Sequence, residues 1–167
     1  MGRLIEVEGI WIHTNVVPCL NHCGYCQIGQ KKVENISFSR VAALLDRFYE
    51  WKEKRGLSNF EISHWVGYTS DFDFKSMMEE KRLYALEGWN LDVILLGGLA
   101  ERSDNEMRNW LQERKEAGFN SVIASFTGYG AFHDRWNGRP GDFERLMQVQ
   151  RIAADIGMGL HQRIFLT

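Results

Sequence analysis

The chain has 167 residues, 44% of them apolar and 25% charged, which suits one soluble globular domain with a sizeable core. Twenty basic against twenty-two acidic side chains leave a formal charge of −2, so nothing electrostatic argues for nucleic acid or an anionic membrane as a partner. The longest apolar stretch, residues 91–100, holds Asp92 and two glycines and is too short to span a bilayer, and the N-terminal MGRLIEVEG has acids where a secretory signal needs an apolar core; a cytoplasmic protein without membrane or nucleic-acid partners is expected.

Short β-rich runs alternate with amphipathic helical patterns along the chain. Residues 10–15 predict a first strand. A first helix follows, with Val41, Leu44, Leu45 and Phe48 at helical spacing and a stop near Gly56. Residues 60–66 predict the second strand, and a helix starting after Asp73 carries Phe74, Met77 and Met78 on one side. Residues 91–96 predict the third strand. Ser103 to Glu106 then reads as a capping box opening a helix striped by Met107, Trp110 and Leu111 and ended by Gly118. After the fourth strand, 121–126, a fourth helix follows Pro140-Gly141-Asp142. It faces Phe143, Leu146, Met147, Ile152, Ala153 and Ile156 inward as far as Gly157, and residues 160–166 predict the fifth strand. The tryptophans and methionines fit these stripes as core, and His13 and His64 read as hydrogen-bonded core histidines. Single-helix crossovers demand parallel strands, so the fold class is α/β, either barrel-like or doubly wound, with function at the C-terminal strand ends. The first crossover has no Gly-rich phosphate fingerprint after its strand, which weighs against the dinucleotide-binding version.

Three cysteines stand there instead: Cys19-Leu20-Asn21-His22-Cys23-Gly24-Tyr25-Cys26, a C-x3-C-x2-C spacing. Three cannot all pair within one chain, and crowding into eight residues is unlike a disulfide framework. Soft thiolates converging from one loop suit an iron–sulfur cluster or zinc. A cubane cluster takes four ligands, so three cysteines leave one iron open to something else. A zinc site would need His22 as its fourth ligand, with both halves of the site in one short loop.

This motif, with an aromatic before its last cysteine and placed after the first strand of a βα series, resembles that of the radical S-adenosylmethionine (SAM) superfamily. The resemblance implies a partial parallel (β/α) barrel over residues 1–167, with a 4Fe–4S cluster on Cys19, Cys23 and Cys26 and SAM on the open iron. It also implies reductive cleavage of SAM to a 5′-deoxyadenosyl radical that abstracts hydrogen from a substrate, and an electron donor such as a flavodoxin or ferredoxin. The chemistry would be the cofactor's, with the protein supplying position and exclusion of water.

By the same resemblance, Tyr25 lies against the cluster and the adenine. The family's Gly-Gly-Glu motif after the second strand is replaced by Val66-Gly67-Tyr68-Thr69, leaving Gly67 and Thr69 as candidate contacts to SAM. Gly97-Gly98 lies one strand later. Ser125, with Thr127 in reserve, is the candidate for the ribose or carboxylate of SAM, and Arg163, alone in an apolar run, for the carboxylate. The segment from Gly130 to Phe143, with His133, Asp134 and Arg135, is similar to one found in members that modify peptides or sulfatases, which implies a peptide or protein substrate. The family barrel has six βα units and this sequence supplies five strands, so a core truncated after the fifth strand is expected. A partner-binding module on a degenerate form of the same fold stays open beside the enzyme.

Overall fold

The computed structural model describes residues 7–14, 19–26, 36–66 and 69–165. In chain order these form β1 (Gly9–Thr14), α1 (Phe38–Lys54), β2 (Glu61–Val66), α2 (Phe74–Leu86) and β3 (Val93–Leu95). There follow α3 (Asp104–Glu116), β4 (Ser121–Phe126), α4 (Ala131–Asn137), α5 (Asp142–Asp155) and β5 (Gly159–Ile164).

The helices form where an apolar stripe and a cap coincide. In α1, Phe38, Val41, Ala42 and Leu45 are buried, a spacing that keeps all four on one face. Asp73 opens α2 by accepting from the Ser76 amide at 2.9 Å. The capping box at α3 forms as expected, with the Ser103 amide donating to Glu106 at 2.8 Å and the Glu106 amide to Ser103 Oγ at 3.4 Å. In α5, Phe143, Leu146, Val149, Ile152 and Ala153 are buried.

All described strand pairs are parallel, in the orders β1-β2 and β3-β4-β5. The order never reverses, so neither sheet contains the switch point of a doubly wound fold. Successive right-handed crossovers then lay the helices on one face. Burial follows: Ile62, His64 and Val66 of β2 and Val122, Ala124 and Phe126 of β4 are buried, while the residues between them are not. The core therefore lies between strands and helices, and among the described residues the other face carries no helix. The described strands do not close into a barrel, and β5 is exposed at every position.

β2 and β3 share no ladder; side chains join them instead. Ser70 Oγ accepts from the Leu95 amide at 2.9 Å, the donor that a strand neighbour would otherwise use. Asp71 accepts from the Ala100 amide at 2.6 Å and pairs with Arg102. The buried Arg114 donates to the Phe72 carbonyl at 2.6 Å and lies 3.7 Å over the Trp110 ring, and burial lowers its pKa to about 10.

Several expectations are corrected. The described residues hold five helices rather than four, α4 being the addition. β3 is shorter than 91–96, spanning Val93–Leu95. Most of the tryptophans are not core: Trp11 is 75% exposed and Trp89 68%, whereas Trp110 packs against the core. His64 is buried, but strand alternation places His13 on the helix-free face, where it is exposed. No described helix is long and apolar enough to cross a membrane.

Candidate functional site

The cysteine loop follows β1 and lies against the segments that leave the C-terminal ends of β3 and β4. The Leu20 amide donates to the Gly98 carbonyl at 3.3 Å. The His22 and Gly24 amides donate to the carbonyls of Asn137 and Trp136, both at 2.8 Å. The last carbonyls of a helix have no partner within it, so the loop completes the C-terminus of α4. Gly138 permits this approach: it sits at φ +60°, and a β-carbon there would fall 2.7 Å from the His22 carbonyl oxygen.

A buried polar cluster fastens the same loop. Asp142 Oδ2 accepts from Asn21 Nδ2 at 3.0 Å and from Asn137 Nδ2 at 2.8 Å, and lies 3.2 Å from His133 Nε2. The Thr127 amide donates to His133 Nδ1 at 3.2 Å, which leaves the ring hydrogen on Nε2, facing Asp142. His133 and Asp142 are both buried. Arg139 donates to the Leu99 carbonyl at 2.8 Å and reaches Asn21 Oδ1 at 3.4 Å. Asp134 does not pair with an arginine here; its carboxylate accepts from the amides of Gly141 and Phe143 at 2.7 and 2.9 Å and so caps α5. Much of the His133–Phe143 segment is thus scaffold for the cysteine loop, while Arg135 and Trp136 stay exposed and line an open hollow with His22, Gly24 and Gly138.

Within the loop, the Cys26 amide donates to the Cys23 carbonyl at 3.0 Å. Burial pushes the Cys19 and Cys23 thiols above their ordinary range; neighbouring thiolates and Asp142 push the same way, opposed in part by hydrogen bonds from Asn21 and Tyr25. Low dielectric and negative neighbours disfavour free thiolates, which is the setting in which a bound cation is favoured. Among the described residues, no three His, Cys, Asp or Glu side chains already stand grouped as metal ligands. The thiols are neighbours in electrostatic contact, and their soft donor chemistry fits a cluster or zinc. Tyr25 donates to Asn137 Oδ1 at 3.2 Å and lies 5.3 Å from the Phe165 ring. Burial, then its bond to Cys23, lifts the Tyr25 phenol above its usual range.

The other candidates are dispersed. Ser125 and Arg163 are register partners, so they share the helix-free face, Ser125 half-buried and Arg163 exposed. Thr69 is buried with no hydrogen-bond partner for its hydroxyl, and lines a cavity of about 170 Å³ that also touches Arg163. Thr127 is buried and occupied with His133. Gly67 lies outside the described residues. Sequence reading missed Asn21, Asn137 and the buried role of Asp142. The available signal was His133 and Asn137, four apart on one helix face.

Compared with known proteins, the chain matches no family model and no curated protein.

Proposed function

We propose that the chain is a radical SAM enzyme or the core of one, with Cys19, Cys23 and Cys26 as ligands of a 4Fe–4S cluster on a partial (β/α) barrel. The observation that carries this reading is a three-thiol loop seated at the C-terminal ends of parallel strands and held there by the buried Asp142 cluster. When bound, the cluster supplies the electron that cleaves SAM to a 5′-deoxyadenosyl radical, as the resemblance implies.

The chain's own residues position and enclose. Asp142, Asn137 and Asn21 hold the loop against α4. Tyr25 covers its flank beside Cys23. Ser125 and Arg163 offer a hydroxyl and a guanidinium on the helix-free face, chemistry suited to the ribose and carboxylate of SAM. Thr69 would add a hydroxyl, and Gly67 close backbone approach. A peptide or protein substrate is supported by the hollow beside the loop, where the exposed Arg135 and Trp136 offer a guanidinium and an indole. A flavodoxin- or ferredoxin-type donor and a reducing cytoplasmic setting complete the reading.

Anaerobic reconstitution with iron and sulfide, followed by electron paramagnetic resonance of the reduced protein, tests it. A 4Fe–4S signal that changes when SAM is added supports the enzyme. A cluster indifferent to SAM points to the partner-binding module, and zinc alone to a structural site.

A further inference from the structure

The exposure of α4 runs opposite to its chemistry. His133 and Asn137 are 0% and 2% exposed, whereas Phe132 is 46% exposed and Trp136 36%. The polar pair is buried because it fastens the cysteine loop. That role does not account for two large aromatic side chains on the solvent side of a helix of 7 residues. Phe132 and Trp136 are four residues apart and share a face, with ring centroids 6.3 Å apart. Arg135, three residues after Phe132, lies on the same side and is exposed. Single exposed aromatics are ordinary, but adjoining ones beside an arginine are what binding surfaces concentrate.

This face reaches the cysteine loop. A β-carbon on Gly24, between Cys23 and Cys26, would fall 3.4 Å from the Trp136 ring, so the indole packs on the loop itself. His22, Gly24, Arg135, Trp136 and Gly138 line an open hollow of about 530 Å³ there. Sites for small ligands run to about 300–1,000 Å³, so the hollow suits a few residues of extended chain better than the broad face of a folded partner.

The charge of the hollow is one-sided. No carboxylate lines it, and Arg135 makes no ion pair among the described residues. Asp134, the adjoining acid, is engaged in capping α5. A guanidinium without a counter-ion, set beside ring faces, selects a carboxylate next to an apolar side chain.

We propose that this face of α4 binds an acidic peptide, in which a carboxylate side chain pairs with Arg135 while a neighbouring apolar side chain packs on Phe132 and Trp136. The occupant rests on the peptide-substrate reading above and narrows it to segments in which an acid adjoins apolar residues.

The test is titration of the full chain, without SAM, with three capped pentapeptides carrying aspartate, asparagine or lysine between two leucines, following the Trp136 indole N–H resonance. The aspartate peptide is expected to shift it saturably. The asparagine peptide is expected to bind about two- to fivefold more weakly, and the lysine peptide more weakly still. Arg135→Gln is expected to abolish the preference for aspartate over asparagine, and Phe132→Ala to weaken both peptides alike. Both side chains are exposed, so thermal stability is expected to hold in each variant. Equal affinity for the aspartate and asparagine peptides, a preference that survives Arg135→Gln, an unaffected Phe132→Ala variant, or no shift with any peptide would overturn the proposal. A shift produced by a flavodoxin and by no peptide would overturn it in favour of the electron donor, and one produced only by raising the chain's own concentration, in favour of a second copy. Binding of the aspartate peptide by a chain without a SAM-responsive cluster would count against the enzyme reading alone; the reverse result would count against this proposal alone.

Discussion

The Cys19 thiol occupies the space beside Gly98: a β-carbon on Gly98 would fall 2.2 Å from Cys19 Sγ, and the glycine sits at φ +70°. Gly97, one residue earlier, has nothing within 4 Å of its β-carbon position. Gly98→Ala is therefore expected to cost about 1–3 kcal/mol and to displace the cysteine loop, whereas Gly97→Ala is tolerated. Urea unfolding and iron content after reconstitution measure both. Equal behaviour of the two variants would show that the contact is not limiting.

Asp142→Ala leaves His133, Asn137 and Asn21 without their shared acceptor in a buried site. Losing one member of such a cluster is expected to cost about 3–5 kcal/mol. Asn21→Ala cuts only the link to the loop and is expected to cost about 0.5–1.5 kcal/mol. The informative comparison is iron retention in Asn21→Ala at temperatures where the fold is intact. A loss of iron there marks the cluster as a clamp on the loop; full retention would make it scaffold alone.

Burial pushes the Glu80 carboxyl from its ordinary value near 4.5 up to about 8. Between those values the folded chain holds a proton that the unfolded chain has released, so this group makes stability fall as pH rises through that window. Glu80→Gln removes the dependence. Its gain over the parent is expected to grow from pH 5 to pH 8.5 by about 1–3 kcal/mol, discounted for partial exposure. Urea midpoints at the two pH values provide the check, and a gain that does not change with pH would contradict the burial argument.

Much of this fold was legible because its signals are periodic. The strands at 121–126 and 160–166 and the capping box at Ser103 follow from alternation and local hydrogen bonding, and the structure places them close to where they were read. α4 was not legible, since its buried residues are His133 and Asn137, and a search for apolar periodicity passes over a polar face. Asp142 reads in sequence as a helix cap because it follows Pro140-Gly141, but the capping is done by Asp134 from an earlier turn. That exchange depends on tertiary placement. Trp11 reads as core by hydrophobicity, yet strand alternation puts it opposite Ile10 and Ile12, on the helix-free face. The cysteine spacing was plain; that Gly98, Asn137 and Asp142 together hold the loop could only come from the fold.

The proposal that Cys19, Cys23 and Cys26 hold a cluster that cleaves SAM is tested most directly by 5′-deoxyadenosine. The reconstituted, reduced chain is incubated anaerobically with SAM, and the nucleoside is quantified by mass spectrometry beside the Cys19→Ala, Cys23→Ala and Cys26→Ala variants. The account expects release from the parent chain and none above background from any variant, because each cysteine supplies one of only three protein ligands. Full iron content and undiminished release from any single variant would contradict it.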